Sequence, residues 1–199
     1  MPNWCYNSVK ITHKDSAMIE RARKAFNDGR LLDEFIPVPQ SLHIVEGRVG
    51  LDTDPKQIEL AAQEKANREA YGYSTWYDFC VNEWGTKWDI CNGVESDIPN
   101  GLQLGFDSAW SPPINAYYNL IEQGFEIEAM YYEPGMGFCG EFTTENGECE
   151  YVIEGCSTWV EENIPSHINE QFAISEQMEL QETEDEDTAL DVNNTGGKW

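Results

Sequence analysis

The sequence predicts an α+β fold in which one antiparallel sheet carries helices on one face. Two observations predict it. The apolar period switches between two and about 3.6 residues in the order strand, helix, strand, strand, helix, strand. The 199 residues also hold seven Trp, nine Tyr and eight Phe, enough for the core of one ordinary domain without a metal or disulfide.

The elements follow in chain order. Residues 4–12 alternate, with Cys5, Asn7, Val9 and Ile11 on one face and Trp4 and Tyr6 on the other. Asp15 or Ser16 caps a helix over 16–28, with Met18, Ala22, Ala25 and Phe26 as its apolar stripe and Gly29 as its stop. Leu31 to Leu42 reads as extended, because Pro37 and Pro39 push their predecessors out of the α region. Asp54-Pro55 opens a polar helix to about residue 70, and a second short helix covers 74–84.

Leu102, Leu104 and Phe106 then alternate in a strand. Ser111-Pro112-Pro113 starts a helix with Ile114, Tyr117, Tyr118 and Ile121 on one face, and Gly124 ends it. Phe125, Ile127, Ala129 and Tyr131 alternate again, and Asn146-Gly147 signals a type I′ hairpin. Past Pro165 the regular pattern fades.

With residues 55–84 set aside as a helical insertion, the order is βαββαβ, the ferredoxin-like arrangement, followed by a C-terminal β-hairpin extension. The predicted organisation is a domain over 1–170 and an acidic disordered tail over 171–199, where hydrophobicity is low and charge is high. This fold hosts many activities and assigns none.

Charge is the most unusual property. Residues 1–87 carry 11 Lys+Arg against 13 Asp+Glu, net −2, whereas residues 88–199 carry Lys198 alone against 24 acids, net −23. Such a surface repels nucleic acid and anionic membranes and attracts basic partners. No stretch approaches the ~20 apolar residues that span a bilayer. The six Cys form no CxxC pair and the three His are scattered, so the expectation is reduced thiols, no metal and no cofactor.

Three segments carry a family resemblance: Met1-Pro2-Asn3-Trp4-Cys5-Tyr6-Asn7, Trp84-Gly85-Thr86-Lys87-Trp88-Asp89, and Phe106-Asp107-Ser108-Ala109-Trp110-Ser111-Pro112-Pro113. With Tyr131-Tyr132-Glu133-Pro134-Gly135 and Phe138-Cys139-Gly140, they resemble the YubB-like family of bacteriophage and plasmid proteins, over most of residues 1–142. The resemblance implies a ferredoxin-like domain and a mobile-element protein acting in the cytoplasm of a bacterial host. It implies no reaction, and "ferredoxin-like" here names a fold without an iron–sulfur cluster.

Two constellations are candidates for function. Trp84, Lys87, Trp88 and Trp110, with Trp4, could gather at one end of the sheet as an aromatic pocket for a small molecule. The same tryptophans could instead be core anchors. Glu126, Glu128, Glu141, Glu148 and Glu150 form a candidate acidic surface for a basic protein partner, by inhibition or nucleic-acid mimicry.

The string Gly135-Met-Gly137-Phe-Cys-Gly140 matches a dinucleotide motif, but a hairpin follows it where the motif needs a helix N-terminus. The functional expectation is a non-enzymatic accessory protein that binds a basic host or phage protein. The alternative is a small-molecule-binding module built on the tryptophans.

Overall fold

A computed structural model describes the backbone of residues 3–195 and the side chains of 3–90 and 93–184. β1 (Trp4–Thr12) alternates as its sequence dictates, burying Cys5, Asn7, Val9 and Ile11. α1 (Ser16–Asn27) is capped by Asp15, whose carboxylate accepts the Ala17 N–H, and buries Ile19, Ala22, Ala25 and Phe26. After a long connection come β2 (Cys91–Ile98) and β3 (Gly101–Ala109).

The segment from Leu31 to Leu42 is not extended. It forms α2 (Leu31–Phe35) and a 3₁₀ turn, Gln40–Leu42. Asp89, distant in sequence, accepts the Leu32 and Asp33 N–H groups and so caps α2, a tertiary contact that local proline rules cannot foresee.

α3 (Pro55–Tyr71) is the expected polar helix, with Asp54 as its cap and Gly72 in the left-handed conformation at its end. It buries Asn67 alone, whose amide donates to the Ser41 and Ser74 carbonyls. α4 (Trp76–Phe79) continues into a π-helical turn, Cys80–Trp84. Phe79, Cys80 and Trp84 join the main core, so the insertion proper ends near residue 72 and not at 84.

α5 (Ile114–Glu122) buries Ile114, Ala116, Tyr117 and Leu120. Its buried face is rotated from the expected one, leaving Tyr118 to lie edge-on against Phe142 at 5.1 Å. β4 (Glu126–Glu133), β5 (Phe138–Thr143) and β6 (Gly147–Val152) complete the sheet. The β5–β6 hairpin is present, but Thr143 pairs with Gly147 across three intervening residues. Gly147 alone takes a positive φ there, so the turn is not type I′, which needs two.

The strand order is β2-β3-β1-β4-β5-β6, antiparallel throughout. The first four strands with α1 and α5 make the double split βαβ of the ferredoxin-like fold, and β5 and β6 extend one edge.

α1 and α5 share one face, as expected. The other face is not bare, because α6 (Ser157–Asn163), α7 (Ser166–Phe172) and the start of α8 (Ile174–Thr195) cover it over β4 to β6. Tyr132 and Cys139 alternate with Tyr131, Phe138 and Phe142 and point into this second core with Val160, Ile164, Ile168 and Ile174.

The disorder expected from residue 171 is therefore overturned for 171–184. Ile174 is fully buried, and Glu182 accepts both the N–H and the hydroxyl of Ser157 at 2.8 Å, capping α6 from α8. Residues 196–199 lie outside the described residues. Among the described residues no helix is long and apolar enough to cross a membrane.

Candidate functional site

The two tryptophan motifs fold as a single interlocked unit at one end of the sheet. Trp84 ends the π turn inside the core, and its indole N–H donates to the Ile36 carbonyl at 3.0 Å. Gly85 follows at φ +85°, where a Cβ would lie 3.2 Å from the backbone nitrogens of Ile114 and Asn115. Thr86 is buried. Its hydroxyl donates to the Ala109 carbonyl and accepts the Ala109 N–H, at 3.0 and 3.1 Å.

From the other motif, the Ser111 hydroxyl donates to the Gly85 carbonyl at 2.6 Å. The Ser108 hydroxyl donates to the Ser111 carbonyl and accepts from the Asn7 amide, tying in β1. Asp89 is held against α2 by two N–H groups, from Leu32 and Asp33, and also accepts the N–H of its own neighbour Ile90. Burial pushes its carboxyl above the ordinary aspartate range even so.

Three side chains of these motifs remain at the surface. Trp88 and Trp110 are 39% and 41% exposed, and Lys87 lies between them. The Lys87 ammonium sits 4.6 Å from the Trp88 ring centre, 4.9 Å from that of Trp110 and 5.5 Å from that of Tyr77. Trp4 packs on Trp88 with 6.4 Å between centroids. Trp110 holds φ +70°, a conformation uncommon for a bulky L residue, and its N–H donates to the Asn3 carbonyl.

The expected aromatic cluster thus exists for Trp4, Lys87, Trp88 and Trp110. Trp84 is corrected out of it: at 4% exposure it is a core anchor, in edge contact with Phe79. The centre of the cluster is filled by Lys87, where the small-molecule reading needs open space. Tyr77, a wall of the cluster, falls in the short helix expected over 74–84, but nothing local places its ring beside Lys87, which only the packing of α4 brings near.

The five predicted acids separate onto two faces, because pairing decides which way each strand's alternation points. Glu126, Glu128 and Glu141 share the face opposite α1 and α5. Glu148 and Glu150 pair opposite Phe142 and Gly140 and so lie on the α5 side. Glu148 accepts the Tyr131 hydroxyl at 2.8 Å. Gly140 makes that possible, since a Cβ there would lie 2.4 Å from the Tyr131 oxygen. On edge strand β6 these two acids also discourage pairing with another sheet.

The first group lines two adjoining grooves of about 440 and 490 Å³ that share Lys10, Glu128 and Thr143. Glu126 and Glu145 flank one, and Glu141 and His167 flank the other. Lys10 pairs with Glu128 at 3.1 Å, and the His167 imidazole meets Glu141 at 2.8 Å. Lys10 was legible as a neighbour of Trp4 and Tyr6 on one strand face. His167 was not, because nothing in the sequence marked α7.

The remaining motifs have structural roles. Gly135 to Gly140 is the β4–β5 turn and the first half of β5, with no helix after it. The buried Glu133 carboxylate accepts the Gly135 and Met136 N–H groups and fixes that turn. Asp54 caps α3, and Asp52 pairs with Arg48. Cys5, Cys80 and Cys139 are buried free thiols, and Cys149 and Cys156 are exposed free thiols. Burial raises Cys139 to about 11 and Cys80 to about 12.

A four-stranded double split βαβ with an interlocked tryptophan unit and a helix-covered hairpin extension defines a ferredoxin-like α+β protein. The family described as the ferredoxin-like domain in Api92-like protein matches residues 83–190, just over half of the chain. The chain belongs to the Api92-like family. The matched span begins in the π turn and includes α6 and α7, whereas β1, the strand between β3 and β4, lies before it.

The crystal structure of a protein api92 from Yersinia pseudotuberculosis is similar to this chain at 14% identity and TM-score 0.42, covering 78% of this chain and 100% of that one. No curated protein matches the sequence.

Proposed function

We propose that this protein is a non-enzymatic accessory protein that binds a basic protein partner through the acidic groove on its sheet. The observation that carries this reading is the pair of adjoining grooves across β1, β4 and β5, lined by Glu126, Glu128, Glu141 and Glu145 with Lys10 and His167 among them. An extended basic segment laid there would meet carboxylates at strand spacing, with the −23 of residues 88–199 adding long-range attraction. Exposed ion pairs are individually weak, so such binding is steep in salt.

The YubB-like resemblance of the tryptophan motifs supports an origin on a bacteriophage or plasmid, with the bacterial cytoplasm as the place of action and a host or phage protein as the partner. The small-molecule alternative is less favoured, because Lys87 occupies the middle of the ring cluster and Trp84 is withdrawn from it.

The test compares the full chain with a groove variant (Glu126→Gln, Glu128→Gln, Glu141→Gln) and an edge variant (Glu148→Gln, Glu150→Gln). Each is used to capture bacterial proteins at low and moderate salt. A basic protein held by the full chain and the edge variant, released by salt and lost from the groove variant, is the expected result. Equal retention by the groove variant would overturn the assignment of the groove.

A further inference from the structure

The Lys87 cluster raises a question that the groove does not answer. In a chain with 37 acids, this lysine makes no ion pair with a carboxylate among the described residues, and its ammonium lies against three ring faces instead. Core packing accounts for Trp84 and not for Trp88 and Trp110, which stay about two-fifths exposed. Trp110 also holds a backbone conformation that strands and helices do not supply, and strain of that kind gathers at functional positions.

The walls are fixed independently of the lysine. Trp110 is anchored by the Asn3 carbonyl and by the Thr86–Ala109 pair beside it. Trp88 is braced by Trp4 and by its neighbour Asp89, whose carboxylate accepts N–H groups of α2. Ring faces arranged around a point are attractive to a cation, because each carries the negative part of its quadrupole there. Removing the lysine would therefore leave a preformed receptor for a positive group.

We infer that Tyr77, Trp88 and Trp110, backed by Trp4, form a cation cage that Lys87 occupies within the chain and that a lysine side chain of a basic partner takes over on docking. Position supports the exchange. Trp4, Tyr6, Ser8 and Lys10 lie on one face of β1, so the cage and the acidic groove stand at two ends of the same strand. The separation is about 20 Å for six residues of strand. A basic segment running along β1 would place one lysine in the cage and others over the carboxylates. Lys87 acts as a competitor already in place, which weakens binding of any cation that does not also engage the groove.

The source of the incoming lysine rests on the basic-partner reading above, whereas the cage itself is tested with a free cation, so the two fail separately. The probe is tetramethylammonium, with tert-butyl alcohol as the uncharged isostere, titrated against the full chain while the tryptophan indole N–H signals are followed by NMR. Lys87→Ala is expected to bind tetramethylammonium about tenfold more tightly than the unaltered chain. The shifts should fall on Trp4, Trp88 and Trp110, with none from tert-butyl alcohol, and Trp110→Ala added to Lys87→Ala should remove them.

Should Lys87→Ala fail to fold, Lys87→Gln, which keeps most of the stem without the charge, makes the same comparison. Equal affinity in the presence and absence of Lys87, or equal binding of the uncharged isostere, would overturn the cage. Loss of partner capture by the groove variant with an intact cation response would separate the two sites. A cation response with no basic partner at all would leave the cage standing and remove the groove reading.

Discussion

Trp84 and Trp110 sit in motifs of similar look and have opposite fates. Trp84 closes a π turn and finds the Ile36 carbonyl for its N–H, so its ring is sealed in the core. Truncating it to alanine should destabilise the protein by about 3–5 kcal/mol, by cavity formation and an unmet carbonyl. Trp110 lies at φ +70° with its ring partly in solvent. Trp110→Gly relieves a left-handed strain of about 1–2 kcal/mol but gives up ring burial worth roughly 3–4 kcal/mol, so its net cost should be about 2 kcal/mol, below that of Trp84→Ala. Urea unfolding of both variants measures the contrast. A Trp110→Gly loss as large as that of Trp84→Ala would make the exposed cluster a core element.

At the scale of elements, the first part of the acidic tail shows how composition and structure part ways. Residues 176–184 have the charge of a disordered segment. They are nevertheless helical, because Ile174, ahead of them, is buried against α6 and α7 and because Glu182 supplies the cap that α6 lacks locally. Truncation after Phe172 removes a fully buried isoleucine, Met178 and that cap. The expected destabilisation is at least about 3 kcal/mol, seen as a lowered melting temperature. Glu182→Ala alone should cost about 1 kcal/mol. A truncated chain that melts like the full one would return α8 to the status of an appendage.

At the scale of the whole molecule, both cores hold phenols that resist ionisation. Burial raises Tyr117, Tyr131 and Tyr132 above the ordinary tyrosine range, with Glu148 adding to the effect at Tyr131. Tyr73 is raised to about 12, chiefly by its hydrogen bond to Glu83 and then by burial. A phenol whose folded pKa exceeds its unfolded one stabilises the fold fully below the unfolded value, near 10, and that contribution is lost as pH rises through the folded value. Stability should therefore fall from about pH 10 upward. Tyrosinate absorbance should rise in two steps, the second coinciding with loss of near-ultraviolet circular dichroism. A single step complete before unfolding would contradict the buried state of Tyr117, Tyr131 and Tyr132.

The sequence by itself determined the βαββαβ frame, because period-two strands and the α1 stripe are local patterns that burial merely completes. It also singled out Trp4, Trp88, Trp110 and the acids as candidate positions. Tertiary structure alone decided the rest. Strand pairing sent Glu126, Glu128 and Glu141 to one face and Glu148 and Glu150 to the other. Remote partners made helices of 31–35 and 174–184: Asp89 for the first, and the second core with Ser157 for the other. Lys87 came to rest among three rings because the Thr86–Ala109 and Gly85–Ser111 bonds bring two distant motifs together. The physical reason is common to all of these. Alternation and propensity are read over a few neighbours, whereas facing, capping and enclosure depend on groups dozens of residues away in the chain.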